Sequence, residues 1–157
     1  MIVGIDPGQT GGIAYIDTAS GASHAVPMPL MGKEIDGHEL ANALRGRSID
    51  AVIIEKVHAM PKQGVSSTFK FGMGFGLVIG VCEALGIPYR LITPQAWKKV
   101  VLAGTAKDKD AAATFVRRAY PSIDLAPGRK SKPHDGMADA VCLAEYGRQQ
   151  LKLEVTA

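Results

Sequence analysis

Four carboxylates define the chemistry within reach of this sequence: Asp6, Glu55, Asp135 and Asp139. Asp6 ends the apolar run Ile2-Val3-Gly4-Ile5, and Glu55 ends Ala51-Val52-Ile53-Ile54. An acid at the end of an interior strand is costly unless it is paired or neutralised. Hard divalent cations such as Mg²⁺ take oxygen ligands, and gathered carboxylates suit them. Two such ions in one site activate a water and stabilise the leaving oxygen in phosphodiester cleavage. A turn or helix cap is the alternative role for the strand acids. Asp135 and Asp139 are spaced i, i+4 and so share one helix face. Near a helix N-terminus they also favour the dipole, so capping explains that pair as well as cation binding does. His134, directly before them, suits proton transfer or a cap. His24, His38 and His58 have no partner at ligand spacing.

The elements that must carry these acids follow from hydropathy and turn chemistry. Strands are expected at Ile2–Asp6, Gly12–Asp17 and Ala22–Pro27, the first two joined through Pro7-Gly8-Gln9-Thr10-Gly11. A short helix over His38–Leu44 precedes the strand Ala51–Glu55. A long helix over Ser67–Leu85 contains Gly72, Gly74, Gly76 and Gly80, each costing about 1 kcal/mol against alanine; close backbone packing would compensate. Next come a strand over Pro88–Thr93, a helix from Pro94 to Val101, and helices over Lys107–Tyr120 and His134–Leu151. This order predicts one α/β domain spanning 1–157: a central mixed sheet with an antiparallel opening meander, flanked by helices. Strand carboxyl ends are where such sheets hold their sites. Phe69 and Trp97 are expected in the core.

With 157 residues, the chain has length for one domain and a core of its own. Its uninterrupted apolar runs fall short of the ~20 residues of a membrane span. The start Met1–Asp6 lacks signal-peptide features, so a cytoplasmic setting, bacterial or phage-infected, is expected. Cys82 and Cys142 have no metal or redox spacing and read as buried thiols. The net charge of +3 divides unevenly: Arg90–Lys132 holds ten Lys and Arg against three Asp, a net +7, and the rest is −4. A polyanion partner suits that segment; a solvated basic face is the alternative. Within it, Lys107, Lys109, Arg117, Arg118, Arg129, Lys130 and Lys132 are the candidate phosphate contacts. Such contacts position a nucleic acid without reading its bases.

Taken in order, Gly4-Ile5-Asp6-Pro7-Gly8, Ile54-Glu55-Lys56-Val57 and Asp135-Gly136-Met137-Ala138-Asp139-Ala140 resemble RuvC-type Holliday-junction resolvases, nearest the phage, poxvirus and chloroplast branch. Lys70-Phe71-Gly72, Gly80, Thr93–Lys99 and Gly104–Lys109 extend the resemblance over nearly the whole chain. The resemblance implies an RNase H-like fold, a homodimer and Mg²⁺-dependent nicking of opposed strands at four-way DNA junctions. Two ions per site, with Mn²⁺ as a substitute, belong to that implication. Asp6, Glu55 and Asp139 match the family's metal-binding acids, Asp6 as the bridging ligand. Bacterial members commonly place the fourth ligand three residues before the last acid, which is Gly136 here; Asp135 fits the pattern of the other branches. The segment Val57–Phe69 corresponds to a loop that enters the junction, with Met60 as its exposed apolar contact. The glycine-containing helix corresponds to the family's dimer helix.

A broader nuclease for flaps or other branched substrates, and a DNA-junction-binding module without catalysis, are the competing readings. Asp6-x-Gly8-x-Thr10-Gly11 also suggests an actin-like phosphotransferase, but that architecture needs two related domains, and the chain has neither the length nor a repeat.

Overall fold

The computed structural model describes residues 1–56, 64–105, 110–128 and 132–155. Five strands form one sheet, in the spatial order Ser23–Pro27, Gly12–Ile16, Ile2–Asp6, Ala51–Glu55, Tyr89–Ile92. They are β1 (Ile2–Asp6), β2 (Gly12–Ile16), β3 (Ser23–Pro27), β6 (Ala51–Glu55) and β7 (Tyr89–Ile92). The opening meander is antiparallel, with Asp6 opposite Gly12. Beyond it β6 runs parallel to β1, and β7 parallel to β6. Between β3 and helix α1 (Gly37–Leu44) lies a short hairpin, β4 (Leu30–Met31) and β5 (Glu34–Ile35). Its strands are two residues each, too short for any hydropathy pattern to announce. Gly32 makes its turn with φ +66°, where a side chain is strained.

Alternation along the strands supplies two cores. Ile2, Ala14, Ile16, Ala51 and Ile53 face the layer containing α3 (Pro94–Val101), α4 (Ala111–Ala119) and α5 (Asp135–Val155). Val3, Ile5, Ile13, Tyr15, Val52 and Ile54 face α1 and α2 (Val65–Ala84). The long helix α5 lies against β1 because residue 4 is glycine. A Cβ there would fall 2.0 Å from the carbonyl oxygen of Ala140. That close approach brings the acid-bearing end of α5 beside the carboxyl end of β1.

Several expectations are adjusted. Helix α4 begins at Ala111 rather than Lys107, and α2 begins at Val65 rather than Ser67. Phe69 is 68% exposed, not core. Helix α2 presents two faces: Val78, Val81 and Cys82 enter the core, while Val65, Phe69 and Met73 stand exposed. Of its four glycines only Gly74 has a close neighbour, Ile35; around Gly72, Gly76 and Gly80 the space is open. Packing among the described residues therefore does not offset those three. By length and composition α2 suffices to cross a membrane; Ser66, Ser67 and Lys70 interrupt its apolar run and hide this from a run count. Cys82 and Cys142 are buried free thiols, as expected, and burial raises both their pKa values.

Candidate active site

The two strand acids lie side by side because β1 and β6 are adjacent and parallel, pairing Ile5 with Ile54 immediately before them. Asp6 and Glu55 are both half-buried. From the next layer, the first two turns of α5 contribute Asp135, exposed at its first position, and Asp139, half-buried. Burial, reinforced by the charges of Glu55 and Asp139 and opposed by Lys98, pushes the Asp6 carboxyl up to about 7. Burial also lifts Asp139 to about 6; Lys98 pulls against it, and Glu55 and Asp135 add to it. These carboxylates therefore share one electrostatic field in which negative charge is undercompensated. Among the described residues, no three His, Cys, Asp or Glu side chains converge tightly enough to hold an ion as they stand. Their chemistry nonetheless suits a hard cation: all the donors are carboxylate oxygens, and positive charge would relieve their repulsion.

Gly136 explains why the fourth acid cannot sit one residue later. A Cβ on residue 136 would meet the Thr10 carbonyl oxygen at 2.2 Å, the Gly11 Cα at 2.4 Å and Asp6 Oδ2 at 2.8 Å. Gly11 and Gly136 form a parallel backbone bridge, so the β1–β2 turn is pressed against the start of α5. Asp135 lies just outside that contact. It borders a cavity of about 810 Å³ together with Asp139, Gln95, Lys98, Lys99 and Thr105.

Two residues of the site were missed in the sequence. Trp97, wholly buried as expected, donates from Nε1 to Glu55 Oε1 at 2.8 Å. Lys98 lies 5.1 Å from the Trp97 ring and is the cation that acts on both Asp6 and Asp139. Both ride on α3, whose start is fixed by Thr93 accepting from the Ala96 N–H and by Pro94 in the first turn. The available signal was a cap-proline start directly after a strand, which sets residues 97 and 98 at the same sheet edge as Glu55.

The predicted basic contacts divide. Lys132 is exposed three residues before Asp135. Arg117 and Arg118 are exposed in the last turn of α4, whereas the cavity wall uses Ala111, Ala112 and Ala113 at its other end. The structure does not bring those two arginines to the acids. Met60, Lys107, Lys109, Arg129 and Lys130 lie outside the described residues. The His134 backbone N–H donates to Leu125 and its carbonyl accepts from Ala138, tying the loop to the start of α5.

No family model matches the chain. A curated relative, the crossover junction endodeoxyribonuclease RuvC of Nitratidesulfovibrio vulgaris, is 27% identical over 151 residues, covering 90% of this chain and 88% of the relative. The RuvC of Myxococcus xanthus is 28% identical over 158 residues, covering 94% and 81%. The chain is RuvC-like. Its fold agrees: Thermus thermophilus RuvC in complex with a Holliday junction superposes with a TM-score of 0.68 at 19% identity, over 98% of this chain and 95% of that one. The expected RNase H-like architecture is thus the observed one. In this RuvC-like chain the acids occupy the carboxyl ends of β1 and β6 and the start of α5, with α3 supplying the tryptophan and lysine beside them.

Proposed function

We propose that this chain is a crossover junction endodeoxyribonuclease that nicks opposed strands of four-way DNA junctions by phosphodiester hydrolysis. The observation that carries this reading is the placement of Asp6 and Glu55 at the carboxyl ends of the adjacent parallel strands β1 and β6, with Asp139 of α5 close enough to act on Asp6, in a chain similar to RuvC along its length. Asp6, Glu55, Asp139 and Asp135 would hold Mg²⁺, two ions per site, with Mn²⁺ able to substitute. When bound, such ions supply water activation and charge neutralisation at the phosphate.

The protein's own groups have distinct tasks. Trp97 fixes one oxygen of Glu55 and so limits the rotation of that carboxylate. Lys98 offsets negative charge at Asp6 and Asp139. With Lys99 and Gln95 it lines the cavity beside Asp139, where a phosphate needs a cation to approach four acids. In the reaction a water oxygen bonds to phosphorus, the P–O3′ bond breaks, and the 3′ oxygen leaves as a hydroxyl after taking a proton. Lys107, Lys109, Arg117, Arg118, Arg129, Lys130 and Lys132 position the backbone, Met60 contacts bases at the crossover, and His134 is an accessory proton carrier.

A homodimer follows from the need to cut two opposed strands with two symmetric sites. The open face of α2 suits the contact: Gly72, Gly76 and Gly80 admit a second backbone, flanked by exposed Val65, Phe69 and Met73. This assignment uses the apolar exposure of α2 between protein chains in a cytoplasmic enzyme.

Labelled four-way, forked and linear DNA incubated with Mg²⁺ tests the reading. Paired nicks near the crossover, lost in Asp6→Asn and Asp139→Asn with junction binding retained, are expected. Equal cutting of linear duplex overturns junction selectivity. Binding without cutting in Mg²⁺ or Mn²⁺ favours the silent module, and cutting of forks and flaps favours the broader nuclease.

A further inference from the structure

The turn Pro7–Thr10, which follows Asp6 directly, is folded back on the Asp6 peptide. The Gly8 N–H donates to the Asp6 carbonyl at 3.0 Å, and the Gly11 N–H donates to the Gly8 carbonyl at 2.9 Å. A Cβ on Gly11 would stand 2.0 Å from the Asp6 carbonyl oxygen. A shift of this turn is therefore passed to the backbone that carries the acid. One flank of the turn is fixed by α5 through the Gly11–Gly136 bridge. The other flank is backed by a cavity of about 670 Å³, shared with the β4–β5 hairpin and the inner face of α2, rather than by packed side chains. Two contacts cross that flank. Gln9 Nε2 donates to the Lys33 carbonyl at the hairpin tip, and Phe71 Cε2 lies 4.0 Å from where a Cβ on Gly8 would stand.

The hairpin is a firm anchor despite its two-residue strands. The Asp36 N–H donates to the Pro29 carbonyl at 2.9 Å and closes its base. The Asp36 side chain then caps α1, accepting from the N–H groups of His38 and Glu39. Ile35 packs on α2, its Cδ1 3.0 Å from where a Cβ on Gly74 would stand. A tie from the turn to the hairpin tip is thus a tie to two helices.

We propose that Gln9 is a positioning residue for Asp6, acting by fixing the β1–β2 turn to the hairpin. The inference rests on the nuclease reading above, in which Asp6 holds metal, and adds a residue outside the acid cluster that orients it.

The residue type suits the task. A glutamine amide gives an N–H to a carbonyl without adding charge beside Asp6, whose pull from Glu55 and Asp139 is already strong. A metal-holding carboxylate works best when the groups behind it are themselves held. Direct contact with DNA is the competing role for an exposed glutamine. The structure favours positioning, because the Gln9 amide is committed to Lys33 and its own backbone lies between two bonded glycines of the turn.

Two variants of nearly unchanged size supply the test. Gln9→Met and Gln9→Glu keep the length of the side chain and lose the N–H. In metal-free protein, amide hydrogen exchange at Gly8 and Gly11 is expected to accelerate about fivefold, the scale of losing one hydrogen bond. Exchange at Ala138, in the first turns of α5, should stay as in wild type. Mn²⁺ affinity, measured by calorimetry, should weaken by a similar factor. Single-turnover cleavage at saturating enzyme and fixed Mg²⁺ should slow equally, while the junction Kd in EDTA stays unchanged. Gly32→Ala strains the hairpin turn at φ +66° and displaces the Lys33 carbonyl, so it should slow cleavage as much. Combined with Gln9→Met it should add nothing further.

Exchange at Gly8 and Gly11 equal to wild type overturns the proposal. Faster exchange with unchanged Mn²⁺ affinity and rate also overturns it, since Asp6 is then indifferent to the turn. Weaker junction binding at an unchanged rate makes Gln9 a DNA contact, and losses that multiply in the double variant remove the hairpin from the account. Should wild type fail to cut any DNA, the nuclease reading fails on its own. Exchange and Mn²⁺ affinity then decide the role of Gln9: a change in both upholds it, and no change in either refutes it.

Discussion

Trp97 Nε1 lies 2.8 Å from Glu55 Oε1, joining a fully buried indole on α3 to the acid that ends β6. The bond crosses 42 residues of sequence and holds one carboxylate oxygen in a fixed direction. Trp97→Phe keeps most of the buried volume and deletes only the donor. Cleavage is expected to fall about tenfold, the usual scale for losing a group that orients a metal ligand. The Mg²⁺ concentration for half-maximal rate should rise, and thermal unfolding should show a folded protein. A rate equal to wild type across a Mg²⁺ titration rules out the orienting role.

The Asp6 carboxyl has a second consequence, for stability without metal. Its pKa is lifted from 3.8 to about 7 by burial and by Glu55 and Asp139. A carboxyl with a raised folded pKa binds more protons folded than unfolded between those values. Metal-free stability from this group is therefore lost as pH rises through that window. In EDTA the wild type should melt lower at pH 8 than at pH 5.5. Asp6→Asn should flatten that dependence and raise the pH 8 midpoint by roughly 5 °C, while abolishing cleavage. A variant less stable than wild type at pH 8 contradicts this account.

In the middle of α5 the sign reverses. Glu145 is buried, which alone would raise its pKa, but hydrogen bonds from Arg148, Tyr120 and Gln149 outweigh burial and lower it. Its contribution is present above the ordinary glutamate range, near 4.5, and is lost as pH falls through the lower folded value. Glu145→Gln should weaken folding at pH 7 and shrink the acid-induced loss of stability below pH 4.5. Urea unfolding at pH 7 and pH 3.5 measures both.

Gly4→Ala tests the approach of α5 to the sheet. The new methyl group would stand 2.0 Å from the Ala140 carbonyl oxygen and 2.5 Å from the Ala144 nitrogen, both backbone atoms of a long helix. Since neither atom can swing away, a loss of about 3 kcal/mol or more is expected in urea unfolding, in the range of severe overpacking. A change below about 0.5 kcal/mol would mean that α5 is free to shift.

Gly76→Glu addresses assembly. Space around Gly76 is open within the chain, so the substitution should leave monomer folding close to intact. Sedimentation should show a dimer for wild type and a monomer for the variant, with paired nicks on one junction replaced by single ones. A dimeric Gly76→Glu protein places the interface elsewhere.

The strand acids were legible because each ends an apolar run, and hydropathy marks a strand wherever its side chains alternate between two buried faces. The i, i+4 spacing likewise set Asp135 and Asp139 on one face. Trp97 and Lys98 were not legible as parts of the site: a buried tryptophan looks like core, and its indole N–H finds Glu55 only through the pairing of β6 with β7. The β4–β5 hairpin, with two residues per strand, has no periodicity to detect. Phe69 was misjudged because aromatic side chains usually signal burial, whereas its helix face has no partner among the described residues. For Arg117 and Arg118 charge was visible but distance from the acids was not: they sit in the last turn of α4, away from the cavity its first turn borders, so as phosphate contacts they would act beyond the acid cluster.

The contact between residue 136 and the β1–β2 turn also restricts how such a site is able to evolve. Moving the fourth acid from position 135 to 136 takes more than an exchange of two side chains, since any side chain at 136 meets the Thr10 carbonyl and the Gly11 Cα at hard contact. The turn must first recede, and until it does the relocated acid would disrupt the backbone that carries Asp6. In this chain the relocation therefore takes a prior change in the turn, which a single substitution at 136 does not supply.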